Sequence, residues 1–319
     1  MKEVLKPVKI HVPTQLPVGT VNVYLLKGDE NVLVDTGPHH EESRLWLEKG
    51  LRKEGLQVKD IDFILVTHGH VDHYGQAGDL SADSGAEVWV PELEKDTIAN
   101  FSNAYEERKE FYSEQFLRTG IPEETLRLVA EFFDYVKGLA TESPVHRTFR
   151  GGDRLALAGW DLRVIHTPGH SPGSSCFRDG DTLFAGDTVL SHITPNAAFG
   201  GADGKSVGMA DYLRSLEELE KVDVTIIYPG HGPPMEGLAP FIENYRALYR
   251  TRRAALNELL KAKSYNAFDL VVHLLGSLPI QEVFLGITEV LGHLEILQHE
   301  GIVTAEEKDG VAFYSLAGE

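Results

Sequence analysis

Apolar and polar side chains alternate with period two over Val8-Lys9-Ile10-His11-Val12 and again over Val21-Asn22-Val23-Tyr24-Leu25, as strands with one buried face require. Gly28-Asp29-Glu30-Asn31 reads as a turn into a third strand, Val32-Leu33-Val34, which Asp35-Thr36-Gly37-Pro38 ends. Residues 41–54 change to helical spacing, with Leu45, Leu47 and Leu51 set among charges and Gly55 as the stop. Residues 61–66 are then almost uninterrupted apolar, the pattern of a strand covered on both faces. Strand patterns return at 154–167 and 174–190, the second turning at Gly180-Asp181, and are followed by a helical stretch at 212–219 and a strand at 224–228. This alternation of strands and helices predicts a layered α/β fold.

Two segments depart from it. Between about 91 and 145 no strand pattern occurs. Phe101, Tyr105, Tyr112 and Phe116 share one helical face, Leu126, Val129, Phe133 and Val136 another, and Gly120-Ile121-Pro122 separates them. The expectation is a helical hairpin inserted in the main domain, packing its aromatics on the main body; a lid over a substrate cleft is a second reading compatible with the first. From Pro240 the pattern becomes a long helix to about Lys263, helices at 268–275 and 282–300, and two short strands around Lys308-Asp309-Gly310. Helices followed by a two-stranded wing predict a small winged-helix domain over 240–319, after a main domain over 1–239.

Charge and composition narrow the functions. The chain has 319 residues, 49 acids against 30 bases, a formal net charge of −19, 14 histidines and one cysteine. One cysteine excludes a disulfide framework and a cysteine-rich metal cluster, so a metal site must use histidine and carboxylate. The acid excess argues against nucleic acid and anionic membrane as partners. Residues 92–142, which border the presumed cleft, carry 12 acids and 6 bases, and residues 240–319 carry 11 and 7. Arg246, Arg250, Arg252 and Arg253 form a basic cluster there, which reads as a solvated helix face. Lys2, Glu3, Lys6 and Lys9 interrupt any apolar leader, and no apolar run is long enough to span a bilayer, so a cytoplasmic protein is expected.

The chemistry begins just after the buried strand, at Thr67-His68-Gly69-His70-Val71-Asp72-His73. Three imidazoles and a carboxylate within six residues, spaced by small or apolar residues, suit zinc, iron or manganese. His170 in Pro168-Gly169-His170, Asp187 in Ala185-Gly186-Asp187 and His231 in Pro229-Gly230-His231 each follow a strand and a glycine. Four strand ends thus offer five His and two Asp to one place. His39, His40, His146 and His166 are isolated and read as surface or structural residues. His192 stands on a loop five residues beyond Asp187 and is a candidate for the substrate pocket. Phe199-Gly200-Gly201 reads as a flexible cleft wall. Cys176 reads as a small buried apolar residue.

The order His-x-His-x-Asp-His, His, Asp, His over residues 8–235 resembles the metallo-β-lactamase-fold hydrolase superfamily. The resemblance implies an αββα sandwich carrying the helical insertion and the small C-terminal domain. It implies two divalent metal ions, zinc foremost, with iron or manganese as alternatives. One would take His68, His70 and His170, the other Asp72, His73 and His231, and Asp187 would bridge them. Asp35, in Val34-Asp35-Thr36-Gly37, matches a family position that orients a ligand imidazole; a turn or helix cap is its plain structural reading.

A hydroxide held between two such cations is the expected nucleophile, with Asp72 positioning or deprotonating its parent water. The expected reaction is hydrolysis of an ester, thioester or lactone carbonyl in a small substrate. The metal motif is similar to that of hydroxyacylglutathione hydrolases (the glyoxalase II-like branch), but the tail is not. A winged-helix tail is similar to that of lactamase-like endoribonucleases, which makes RNA cleavage the alternative, opposed by the acidic charge. An iron-dependent sulfur dioxygenase would use the same ligands. A homodimer formed through the aromatic insertion or the tail stays open.

Overall fold

The computed structural model describes residues 5–197 and 208–318. Phe199-Gly200-Gly201 lies outside the described residues. Strands β1 (Val8–Leu16), β2 (Gly19–Lys27), β3 (Asn31–Val34), β4 (Phe63–Leu65), β5 (Glu87–Pro91) and β6 (Arg147–Phe149) form one six-stranded sheet in sequential order. Its first three strands are antiparallel, and β3 to β6 are parallel. The parallel crossovers carry α1 (Glu41–Lys53), then α2 (Val71–Tyr74) and α3 (Ala77–Ser84), then α4 (Lys95–Ala99), α5 (Phe101–Leu117) and α6 (Glu123–Lys137). The second sheet holds β7 (Arg154–Leu157), β8 (Trp160–His166), β9 (Ser175–Asp179), β10 (Thr182–Gly186), β11 (Ile226–Pro229) and β12 (Met235–Glu236), also in sequential order. Its β10–β11 crossover contains α7 (Met209–Leu219).

The two faces of each central strand enter different cores, as the near-continuous apolar runs imply. On β2, Tyr24 and Leu26 face the second sheet, whereas Val23 and Leu25 face α1. Trp160, Leu162 and Val164 of β8 meet them from the other side, alternating with exposed residues. Helices therefore cover both outer faces of two stacked sheets, the αββα arrangement expected. Strands β5 and β6 are short; β5 pairs parallel with β4, and β6 pairs parallel with β5.

The C-terminal part consists of α8 (Ala239–Ala262), α9 (Ala267–Leu275), α10 (Ile280–His299) and a small sheet of order β13-β15-β14, with β13 (Tyr265–Asn266), β14 (Val303–Lys308) and β15 (Val311–Leu316). The β14–β15 hairpin is the predicted one; the two-residue β13 that pairs with β15 has no counterpart in the sequence pattern.

One expectation needs correction here. The aromatic face of α5 is expected to pack on the main body, but only Phe101 and Tyr105 do so. Tyr112 and Phe116 share a core with Leu256, Leu260, Leu270 and Ile287 of the C-terminal helices, and Phe284 of α10 lies 4.8 Å from Tyr112 ring to ring. An apolar stripe must be buried, but nothing in its spacing names the surface that covers it. Helix α8 splits likewise: Ile242, Tyr245 and Tyr249 pack under the second sheet, Leu256 and Leu260 in the C-terminal core. No single helix among the described residues is long and apolar enough to cross a membrane.

Candidate metal centre

All seven predicted ligands leave the C-terminal ends of strands. His68 and His70 lie in the loop after β4, and Asp72 and His73 open α2. His170 follows β8. Asp187 follows β10 and His231 follows β11, and because those strands are parallel, with Gly186 opposite Pro229, the two ligands emerge side by side. The two sheets are tied together at this edge. Val21 of β2 bridges to His231, and the Asn22 amide donates to the carbonyls of Pro229 and Gly232 at 2.9 and 2.8 Å.

Gly230 shows why glycine precedes a ligand. A Cβ built there would stand 2.2 Å from Asp187 Oδ1 and 2.7 Å from His73 Cε1, so any side chain would displace the site itself. Gly169, before His170, needs glycine for backbone reasons: its φ is +136°, and a Cβ would meet the Tyr212 backbone at 2.4 Å.

The imidazole nitrogens converge in a way that calls for cations. His68 Nε2 lies 3.1 Å from His70 Nδ1, and His73 Nε2 lies 3.3 Å from His231 Nε2. His231 Nδ1 donates to the Thr20 carbonyl at 2.8 Å, and His73 Nδ1 lies 2.8 Å from Asp35 Oδ2. A carbonyl or carboxylate only accepts, so each ring carries its proton on Nδ1 and, when neutral, turns an Nε2 lone pair towards the other. His170 Nδ1 likewise donates to the Asn196 carbonyl at 2.7 Å, leaving Nε2 buried without a hydrogen-bond partner, as is Asp187 Oδ1. Facing lone pairs and orphaned acceptors are costly unless positive charge lies among them.

Three groups have ligand atoms mutually within 4.8 Å: His68, His70 and His170; His68, His73 and Asp187; and Asp72, His73 and His231. Asp187 spans them, with Oδ1 3.4 Å from His73 Nε2, and Oδ2 3.6 Å from His170 Nε2 and 3.3 Å from His231 Nε2. The donor set fits two hard-to-borderline divalent cations.

Asp35 serves both halves. Its carboxylate accepts from Thr67 N and Thr67 Oγ1, each at 2.8 Å, as well as from His73, and Thr67 Oγ1 lies 3.0 Å from His68 Nδ1. It sits at φ +62°, a left-handed conformation that a non-glycine residue adopts at a cost. Its carboxylate meets the His73 imidazole, and helix α1 is capped by His40 instead. Asp35→Asn keeps size and backbone tolerance but replaces the acceptor of the His73 proton. Metal affinity is expected to fall by about 10- to 100-fold, read by competition with a chelating dye; unchanged affinity would rule out the orienting role.

The site's electrostatics split it in two. Burial, then the neighbouring His73, His70 and His170, hold His68 well below the ordinary imidazole range, and burial with His170 does the same to His70. Burial also works to lower His73 and His231, but carboxylates outweigh it. Asp187, Asp35 and Asp72 raise His73 well above its usual value, and Asp187 with Asp72 raises His231 to about 10. Burial would raise Asp72, yet His73 and His231 hold it at about 2. Without metal, His73 and His231 therefore keep protons at neutral pH, and filling their half of the site must release them. Metal affinity should rise with pH throughout the range below about 10, where His231 still carries its proton. Calorimetry in buffers of different ionisation heat should show proton release near neutral pH, and heat independent of buffer would contradict the assignment. The same shift supports the metal-free fold: that contribution is complete below 6.5 and is lost as pH rises through about 10.

A cavity of about 320 Å³ stands over this cluster, with His70, Asp72, His170, Asp187 and His231 in its floor. Its walls are apolar for the most part, from Phe101 and Tyr105 of α5, Phe133 of α6, Phe284 and Leu285 of α10, and Val18 of the β1–β2 turn. The insertion and the C-terminal part thus build the binding cleft jointly.

His192 is corrected. It is exposed, packs against Gly232 and is absent from the cavity lining, whereas Ile193 to Asn196 on the same loop do line it. His39, His40, His146 and His166 are exposed and lie outside the cavity lining; His146 Nδ1 accepts from Val88 N at 2.9 Å. Cys176 is fully buried, and burial pushes its thiol up to about 11.

Glu94 is a working residue that sequence reasoning misses. Buried, it accepts from Ser171 Oγ at 2.5 Å and Gly173 N at 2.7 Å, anchoring the loop that carries His170. Its neighbours in sequence hold no signal that this acid, among so many, is the buried one.

The family model described as "Metallo-beta-lactamase superfamily" matches residues 16–231. A curated relative, "Probable metallo-hydrolase YqjP" of Bacillus subtilis, is 28% identical over 312 residues, covering 96% of this chain and 97% of that one. A crystal structure of a metallo-beta-lactamase family protein from Thermus thermophilus is 31% identical, with a TM-score of 0.84 and coverage of 97% of both chains. An atrochrysone carboxyl ACP thioesterase of Aspergillus fumigatus is 25% identical over 244 residues, covering 74% of this chain and 59% of that one.

Proposed function

The chain belongs to the metallo-beta-lactamase superfamily and is a metal-dependent hydrolase, and from that premise we propose that it hydrolyses the ester, thioester or lactone carbonyl of a small, largely apolar substrate. The observation that carries this reading is the apolar cavity whose floor is the His/Asp cluster. A carbonyl compound with an apolar body fills such a cleft; a polynucleotide needs a string of cations along its path. Similarity to a thioesterase supports the same class.

His68, His70 and His170 would hold one divalent cation, zinc in our reading, and Asp72, His73 and His231 the other, with Asp187 between them. When bound, such a pair supplies a hydroxide nucleophile at neutral pH and Lewis-acid polarisation of the substrate oxygen. Hydrolysis adds the hydroxyl to the carbonyl carbon and the proton to the departing oxygen or sulfur. The residues' own part is orientation. Asp35 and the carbonyls of Thr20 and Asn196 fix which nitrogen of His73, His231 and His170 carries the proton, so every Nε2 stays available. Asp72 lies 3.3 Å from His231 Nε2 in the cavity floor, placed to hold a cation and to position the water. The aromatic walls offer an apolar surface to the acyl group.

The test is a panel of nitrophenyl esters, acyl thioesters, lactones, a phosphodiester and single-stranded RNA, offered to zinc-loaded protein at fixed salt. Turnover of esters or thioesters at least about 100-fold above the phosphodiester is expected, on the scale by which active sites discriminate. Selective cleavage of RNA would overturn the reading.

A further inference from the structure

We propose that the cavity takes an ester or thioester with an apolar body and an anionic group, and that Arg108 of α5 holds the anion; this rests on the hydrolase reading above and names its substrate class. The insertion is acidic, and most of its bases are spent on the outside. Lys109 pairs with Asp134, Arg118 with Glu307, Arg127 with Glu124 and Glu131, and Lys137 with Glu106. Arg108 instead lines the cavity, partly buried, and among the described residues no carboxylate lies within ion-pair distance of it. Apart from the histidines of the floor, no other cation lines that cavity among the described residues.

The two carboxylates and the asparagine of that lining are engaged elsewhere. Asn196 donates to Thr288 Oγ1 at 3.1 Å, and that hydroxyl donates in turn to the carbonyls of Phe284 and Leu285. Asp72 and Asp187 are engaged by His231 at 3.3 Å each. A guanidinium turned into an apolar cleft without a counter-charge is costly to desolvate, and an entering anion removes that cost. Its planar fork suits a carboxylate or a phosphate in two parallel hydrogen bonds, while Phe101, Tyr105 and Phe133 receive the apolar body. The anion could belong to the acyl half or to the leaving half, and the chemistry at Arg108 is the same.

Two matched dyes test the site without metal or turnover: anilinonaphthalene sulfonate, an apolar anion, and phenylnaphthylamine, the same body without the charge. Metal-free protein is expected to bind the sulfonate at least about tenfold more tightly at low salt, as a charge-assisted hydrogen bond implies. Arg108→Gln should erase most of that ratio, whereas Lys109→Gln, which removes a base from the outer face, should keep it. Equal affinity of the wild-type protein for both dyes overturns the proposal whether or not the variant folds. So does a ratio that survives in a folded Arg108→Gln protein. With zinc-loaded enzyme, p-nitrophenyl hexanoate is then compared with mono-p-nitrophenyl adipate and with a carboxy-nitrophenyl hexanoate. A lower KM in either charged arm, lost in Arg108→Gln, supports the proposal and tells which half bears the anion; equal KM values in all three overturn it. Absence of all ester and thioester turnover with the dye ratio intact would remove the hydrolase reading and leave the anion site standing.

Discussion

Asp187→Asn is expected to deprive the protein of stoichiometric metal and to lower kcat/KM by on the order of 10³-fold or more, the scale seen when a group that works as part of a unit is removed. Among the described residues Asp187 is the carboxylate that faces both halves of the site, His73 and His231 on one side and His170 on the other. Its carboxyl is held well below the usual range because, although burial opposes ionisation, His231 and His73 outweigh that effect. The amide has the same shape but no charge, and it directs an N–H into a cluster of nitrogens that need an acceptor or a cation. Metal per chain by mass spectrometry and kcat/KM on a nitrophenyl ester are the measurements. Full occupancy in the variant would show that Asp187 is not the shared ligand. The fold should survive, since the core beneath the site is built from other residues.

Gly230→Ala is expected to damage the site as severely through one methyl group. The added carbon would stand 2.2 Å from Asp187 Oδ1, 2.7 Å from His73 Cε1 and 3.1 Å from the Gly186 carbonyl carbon. His73 has no room to retreat, being fully buried and tied to Asp35, and Gly230 itself is pinned by its N–H to the Gly186 carbonyl at 2.7 Å and its carbonyl to Asn22 N at 2.6 Å. Relieving the clash must move Asp187 or the β11 end. Overpacking of this kind costs about 1–3 kcal/mol, a shift of a few degrees in Tm, yet a displaced bridging ligand should reduce turnover by roughly 100-fold or more. Circular dichroism melting alongside metal content and kcat separates the two effects. A variant that keeps its metal and its kcat would show that the glycine is not needed for close approach.

Much of the site is legible in the sequence alone because its ligands are of uncommon type, crowded at residues 68–73, and elsewhere marked by a strand and a glycine. Asp35 is legible only as a choice between two roles, since an aspartate after a strand caps or orients depending on what lies opposite. The carbonyls of Thr20 and Asn196 that set the imidazole tautomers leave no trace in the sequence: a backbone acceptor is the same whatever the residue. His192 belongs to the expected loop but to the wrong side of it, because loops lack the period that tells the faces of a strand apart.

The order of apolar and polar residues is enough to establish buried strands alternating with helices and an inserted helical pair, and residue type and spacing mark the His/Asp set, because each depends on neighbours in the chain. Which surface covers the hairpin, which acid is buried at Glu94, and which of six bases in the insertion turns inward are decided by contacts between residues far apart in sequence. Tyr112 finds Phe284, and Arg108 faces the cavity, only when α5 and α10 have packed. Periodicity measures how much of a helix is to be buried; only packing in three dimensions selects the partner.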